Sequence, residues 1–141
     1  MSDGSAVVGA FFERLHDRDL EGFLALWAPD AVMEMPFAAP GLPAGFRGLD
    51  ELEPFWRTVF SEMAKVDFEG LEIEALARPG WWMSRQEGRI RLADGCPYDN
   101  RYICLFEVRE GLIRAYHEYY NPLLVVGAFG DAETVAGKFT A

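Results

Sequence analysis

The feature that most constrains this chain is the rhythm of its second half. Between residues 67 and 122, four strand-length stretches, DFEGLEIEALA, WWMSRQEGRIRL, YDNRYICLFEV and LIRAYHEYY, are separated by Pro79-Gly80, Asp94-Gly95 and Glu110-Gly111. Proline fixes φ and glycine accepts the positive φ of a tight reversal, so each pair turns the chain and lays the next stretch antiparallel to the last. Such a meander has one face that other elements must cover.

The first half supplies the cover. Val8, Phe11, Phe12 and Leu15 recur at helical spacing, with Asp3 or Ser5 as possible caps. DLEGFLALW predicts a second, short helix capped by Asp19, with Leu20, Phe23, Leu24 and Trp27 as its apolar stripe and Pro29-Asp30 as its end. AVMEMPF alternates, Val32, Glu34 and Pro36 against Met33 and Met35, and reads as a short strand entering the ordered loop at 36–45. LDELEPFWRTVFSEMAKV predicts a third helix with Asp50 as N-cap, Pro54 in its first turn, and Leu52, Phe55, Trp56, Val59, Phe60 and Met63 turned inward. The expected architecture is α+β: a curved antiparallel sheet wrapped around three N-terminal helices and enclosing a cavity. Residues 1–141 form one domain, with a core over about 5–125 and a short C-terminal tail.

Composition narrows the partners. A chain of 141 residues, half of them hydrophobic, holds one well-buried core. Its 13 Lys+Arg against 23 Asp+Glu give a net charge of −10, which repels phosphate backbones and anionic lipid surfaces, so no nucleic acid or membrane partner is expected. The longest apolar run, LLVVGAFG, falls well short of the roughly 20 residues needed to span a bilayer. Two cysteines, Cys96 and Cys104, lack metal-ligand or redox spacing, and MSDGSAVV has no basic segment followed by an apolar core. A reduced, cytoplasmic protein without metal or organic cofactor is the expectation.

Chemistry concentrates in GLIRAYHEYYNP. Period two puts Arg114, Tyr116, Glu118 and Tyr120 on one face and Ile113, Ala115, His117 and Tyr119 on the other. Glu118 is then either a solvated charge at a sheet edge or a carboxylate held in a cavity with a tuned proton affinity. Arg85 and Glu87 share a face of their own strand, either as a surface ion pair or as pocket groups. If that face also lines the cavity, two carboxylates and an arginine stand among Tyr102, Tyr116, Tyr120, Phe106 and Trp56, a general acid/base arrangement. Glu34 sits at the cavity mouth or at a solvated strand end. His117 is structural or interfacial, Cys104 packs as a small apolar residue, and His16 is solvated. No metal spacing, phosphate-cradling loop or nucleophile elbow is present.

DLEGFLALWAPDAVMEMP, FRGLDELEPFW and YDNRYICLFEVREGLIRAYHEYYNP, in this order, resemble the SnoaL-like group of the nuclear transport factor two-like superfamily. The resemblance spans residues 5–125, and Tyr98-x-Asn100, Phe106 and Gly111-x-Ile113 look like positions of the phenazine-biosynthesis A/B proteins. It implies a cone-shaped α+β roll, a pocket for a small hydrophobic molecule, and a homodimer through a sheet face carrying Ile103, Leu105, Ala115 and Tyr119. The three groups of ketosteroid isomerases fall at Met35, Phe11 and Cys104, so that chemistry is not implied. The Asp-Arg-Asp set of limonene epoxide hydrolases falls on Arg85, Glu87 and Glu118, while their water-holding Tyr and Asn fall at Val32 and Glu34. The functional Glu of the phenazine proteins falls on Glu118. The resemblance thus implies cofactor-independent acid/base catalysis of isomerase, cyclase or dehydratase type on a ring-bearing substrate. Glu118 would move the proton, and Arg85 and Glu87 would orient the reacting group. The alternatives are a non-catalytic binding or assembly domain and an epoxide hydrolase.

Overall fold

A computed structural model describes residues 4–139. Two helices, α1 (Gly4–Asp17) and α2 (Leu20–Leu24), precede β1 (Trp27–Glu34), the short β2 (Gly45–Arg47) and α3 (Leu49–Glu62). Then come β3 (Met63–Ala75), β4 (Trp81–Leu92), β5 (Pro97–Arg109) and β6 (Leu112–Tyr120), followed by α4 (Pro122–Phe129) and α5 (Ala132–Phe139). The strands form one sheet in the order β2-β1-β6-β5-β4-β3.

The meander forms where its turns require it. Gly80 and Gly95 adopt φ of 83° and 88°, while Glu110 and Gly111 adopt 54° and 75°, the paired positive φ of a type I′ hairpin. The sheet is mixed rather than wholly antiparallel, because β1 runs parallel to β6, with Val32 opposite Ala115 and Glu34 opposite His117. A long connection separates these two strands, so no hairpin dictates their sense.

Other boundaries differ from the sequence reading. Trp27 opens β1 instead of closing the α2 stripe, and Pro29-Asp30 lies inside β1, at the irregularity between Trp27 and Val32. A proline missing its N–H is tolerated at such a break in the ladder. Asp19 does cap α2, accepting from Gly22 N at 2.9 Å. The N-cap of α3 is Gly48, whereas Asp50 sits in the first turn, where a carboxylate faces the positive end of the helix dipole. Met63 starts β3. Of the two caps considered for α1, Ser5 lies within the helix and Asp3 lies outside the described residues.

Strict alternation also fails once in β6. Glu107 pairs with Ala115 but Val108 with Ile113, so Arg114 is an extra residue in the ladder. The bulge turns Ile113 into the core, fully buried, and leaves Arg114 reaching Asp30 at 3.3 Å and Glu110 at 3.5 Å. Beyond the bulge Tyr116, Glu118 and Tyr120 point inward as read.

Phe11 of α1 is the hub of the core. Its ring lies 5.0–5.1 Å from Phe12, Phe23, Tyr116 and Phe106, joining α1, α2 and the sheet. The C-terminal stretch is not a tail but two helices. Asn121 caps α4 by accepting from Leu123 N at 3.0 Å, Pro122 follows at the first helical turn, and Val125, Phe129 and Val135 are buried.

Candidate active site

Hairpin register assembles the site from three strands. Gln86, Tyr102 and Tyr120 stand in one row across β4, β5 and β6, and Ser84, Cys104 and Glu118 in the next. Even-numbered residues of β4 therefore face inward, and Ser84 and Gln86 are 0% and 4% exposed. Between this polar patch and the aromatic faces of α1 and α3 lies a cavity of about 90 Å³. Phe11 and Trp56 line one side, Glu118, Tyr102 and Gln86 the other, and Val125, Phe129 and Phe139 of the last two helices complete the wall.

A hydrogen-bonded line runs through the first of these groups. Gln86 Nε2 donates to Cys104 Sγ at 3.6 Å, Cys104 Sγ and Tyr116 Oη lie 3.4 Å apart, and Tyr116 Oη donates to Glu118 Oε1 at 2.5 Å. The last distance is that of a charge-assisted bond. A second line begins at Tyr98, whose hydroxyl accepts from Asn100 Nδ2 at 2.8 Å and from Tyr102 Oη at 3.4 Å. Asn100 also donates to Asn121 O at 3.1 Å and accepts from Asn121 N at 3.2 Å, which ties the start of α4 to the cavity tyrosines.

Burial governs the electrostatics. It pushes the Glu118 carboxyl up to about 7, against the opposing effect of the Tyr116 hydrogen bond, which favours the charged form. Burial likewise pushes Tyr98 and the Cys104 thiol up to about 12, with the charge of Glu118 adding to both shifts. Tyr102, Tyr116 and Tyr120 are raised for the same first cause. Among the described cavity residues, Glu118 is therefore the one whose carboxyl is shifted to near neutral pH, while the surrounding hydroxyls stay protonated.

Of the expected site residues, Glu118, Tyr102, Tyr116, Tyr120 and Trp56 line the cavity together. Phe106 supports them from behind, its ring 5.0 Å from that of Tyr116, and is fully buried. Arg85 and Glu87 do not join them in the cavity; they line a separate, open groove on the outer side that also borders Gln86, Tyr102 and Tyr120. Odd positions of β4 face outward, where Arg85 is exposed and Glu87 pairs with Arg89 at 2.7 Å and Arg101 at 3.4 Å. Glu34 also lies on the outer side, 58% exposed and 3.8 Å from His117, rather than at the cavity mouth. Gln86 is not singled out by the sequence reading, and Tyr98 and Asn100 enter it only as a motif of the resemblance, not as site residues. Their signal was present in Tyr98-x-Asn100-x-Tyr102, a polar alternation on a strand otherwise apolar on that face, and in an uncharged Gln86 set between two charges. Among the described residues no cluster of His, Cys, Asp and Glu could hold a metal ion, and no helix is long and apolar enough to cross a membrane.

Residues 8–116 match the model of the SnoaL-like domain. An uncharacterized PhzA/B-like protein of Pseudomonas aeruginosa is 28% identical over 123 residues, covering 86% of each chain. A crystal structure of a Bacillus subtilis protein provisionally named an isomerase superposes with a TM-score of 0.83 at 25% identity, over 89% of this chain and 91% of that one. A Pseudomonas putida protein provisionally named a polyketide cyclase gives a TM-score of 0.74 at 16% identity, over 91% and 98%, and at that identity the likeness is one of fold.

Proposed function

The chain belongs to the SnoaL-like family, and from that premise we propose that it is a cofactor-independent enzyme in which Glu118 moves a proton on a small, hydrophobic, ring-bearing substrate. The observation that carries this reading is the isolation of Glu118: it is the one carboxylate among the described cavity-lining residues, bonded by Tyr116 in a lining that is mostly aromatic and apolar. With a pKa near 7, both protonation states are populated at neutral pH. The same group can take a proton from a carbon beside a carbonyl and return it elsewhere, the step shared by isomerisation, cyclisation and dehydration. Tyr116 occupies Oε1, which leaves Oε2 for the substrate.

Epoxide hydrolysis is not supported. A water held between two carboxylates and an arginine has no counterpart here, since Arg85 and Glu87 stand on the other face of the sheet. The cavity is smaller than the roughly 150 Å³ that accommodates a benzene ring, so a ring enters only as Val125, Phe129 and Phe139 give way. The outer face, with Ile103 at 44% exposure and the Phe37 and Tyr119 rings 5.6 Å apart, supports a homodimer, and a monomer in sedimentation at micromolar concentration would remove that part of the reading.

The test of the chemistry is proton exchange. Small cyclic and aryl ketones incubated with the protein in heavy water should gain deuterium beside the carbonyl, followed by NMR, and Glu118→Gln should slow this by roughly a hundredfold or more. A folded Glu118→Gln variant exchanging at the parental rate would eliminate Glu118 from the mechanism.

A further inference from the structure

The polar wall of the cavity does not balance within the protein. Tyr98 and Tyr102 together own two hydroxyl protons, and their mutual bond at 3.4 Å uses one. Tyr98 receives a further bond from Asn100, and among the described residues neither hydroxyl has another acceptor. One O–H of the pair is left over. Gln86, directly opposite Tyr102 in the ladder, spends its amide nitrogen on Cys104, while its Oε1 is sealed from solvent with no partner. Trp56 Nε1, on the helical wall, lacks an acceptor as well. Buried groups left unpaired are costly and rare, and a ligand whose polar atoms pair with them gains that hydrogen-bond energy on binding.

We propose that the cavity, once Val125, Phe129 and Phe139 give way, takes a neutral ring compound bearing both a carbonyl oxygen and a hydroxyl, the carbonyl accepting from the Tyr98/Tyr102 pair and the hydroxyl donating to the Gln86 Oε1 so uncovered. This rests on the reading of Glu118 as the proton carrier. Neutrality follows from charge. None of the described residues lining the cavity is Lys, Arg or His, so a carboxylate or phosphate would meet Glu118 with nothing there to offset it. The ring follows from the aromatic lining, where Phe11 and Trp56 of the helical wall and Tyr116 of β6 lie with centroids 5.0–6.2 Å apart. The carbonyl belongs at the tyrosine pair because neutral hydroxyl donors there polarise it while the nearby carboxylate works on the adjacent carbon.

Isothermal titration of the full chain with four probes tests this: 4-hydroxyacetophenone, acetophenone, 4-methylphenol and 4-hydroxybenzoate. The first should bind best, with acetophenone and 4-methylphenol each roughly threefold to tenfold weaker, as expected for one lost hydrogen bond, and the anion weakest. Gln86→Leu should erase the advantage over acetophenone and keep that over 4-methylphenol. The double variant Tyr98→Phe, Tyr102→Phe should do the reverse. Gln86→Met provides a second variant should the leucine not fold, and circular dichroism checks each. Equal affinities across the series, tighter binding of the anion, absence of binding by all four, or advantages that survive the variants would overturn the proposal. Deuterium exchange at the methyl group of 4-hydroxyacetophenone keeps the two readings apart. Selective binding without Glu118-dependent exchange would sink the catalytic reading and still support the ligand class.

Discussion

Replacing Glu118 by glutamine should make the fold more stable, and only at high pH. In the folded protein the carboxyl titrates at about 7, against an ordinary value of 4.5 that the unfolded chain regains. Between those values the folded state keeps a proton the unfolded state has released, so the contribution of Glu118 to stability is complete below about 4.5 and is lost as pH rises through 7. The gap corresponds to about 3 kcal/mol, reached by pH 8. Glutamine preserves the shape and the acceptor facing Tyr116 but never ionises, so the slope disappears. Urea unfolding followed by far-ultraviolet circular dichroism at intervals from pH 4.5 to 8 reads this directly. The two proteins should coincide at the acid end and separate progressively. At pH 8 the variant midpoint should lie higher by roughly 1–3 M, given slopes on the order of 1–3 kcal/mol/M. Parallel profiles, or a separation that grows toward acid, would refute the argument that burial dominates over the Tyr116 bond.

Tyr116→Phe removes the hydrogen bond that favours the carboxylate, so Glu118 should titrate still higher and the pH profile of deuterium exchange should shift toward alkaline pH; an unshifted profile would show that the bond does not tune the acid. Glu87→Gln should leave exchange unchanged and stability altered by no more than about 1 kcal/mol, because its ion pairs lie on the outer face; a tenfold loss of exchange would contradict that placement. Asn100→Ala deletes bonds to Tyr98 and to both backbone groups of Asn121, and should cost about 2–3 kcal/mol; hydrogen exchange should quicken in α4 before the central strands, and uniform loosening would argue against a local clamp.

The meander was legible because hairpins are written locally: a Pro-Gly or Glu-Gly pair fixes the reversal, and period two does the rest. Glu118 was legible for the same reason, as the odd member of an aromatic face. The face of β4 was misread because a strand with alternating charges looks the same from either side. Only the cross-strand register, Ser84 opposite Cys104 and Cys104 opposite Glu118, shows that Gln86 and not its neighbours shares the Glu118 face. The bulge at Arg114 and the parallel pairing of β1 with β6 are settled by contacts far apart in sequence, which no local pattern contains. The helix α4 escaped because PLLVVGAF is apolar nearly all round, leaving no periodic stripe to distinguish it from an irregular run.

The clamp between Asn100 and Asn121 has a consequence for the order of events at the ribosome. Every residue that carries polar chemistry in the cavity, from Gln86 to Tyr120, is polymerised before Val125 and Phe129, which complete its wall. Chains emerge from the N-terminal side, so the strands can pair while that flank is still open to water. During that interval Glu118 lacks part of the enclosure that raises its proton affinity, and the nascent sheet carries a carboxylate of more ordinary acidity and better hydration. Its strongly acid-shy character arrives with the docking of α4, late, when the rest of the core is in place to bear the cost.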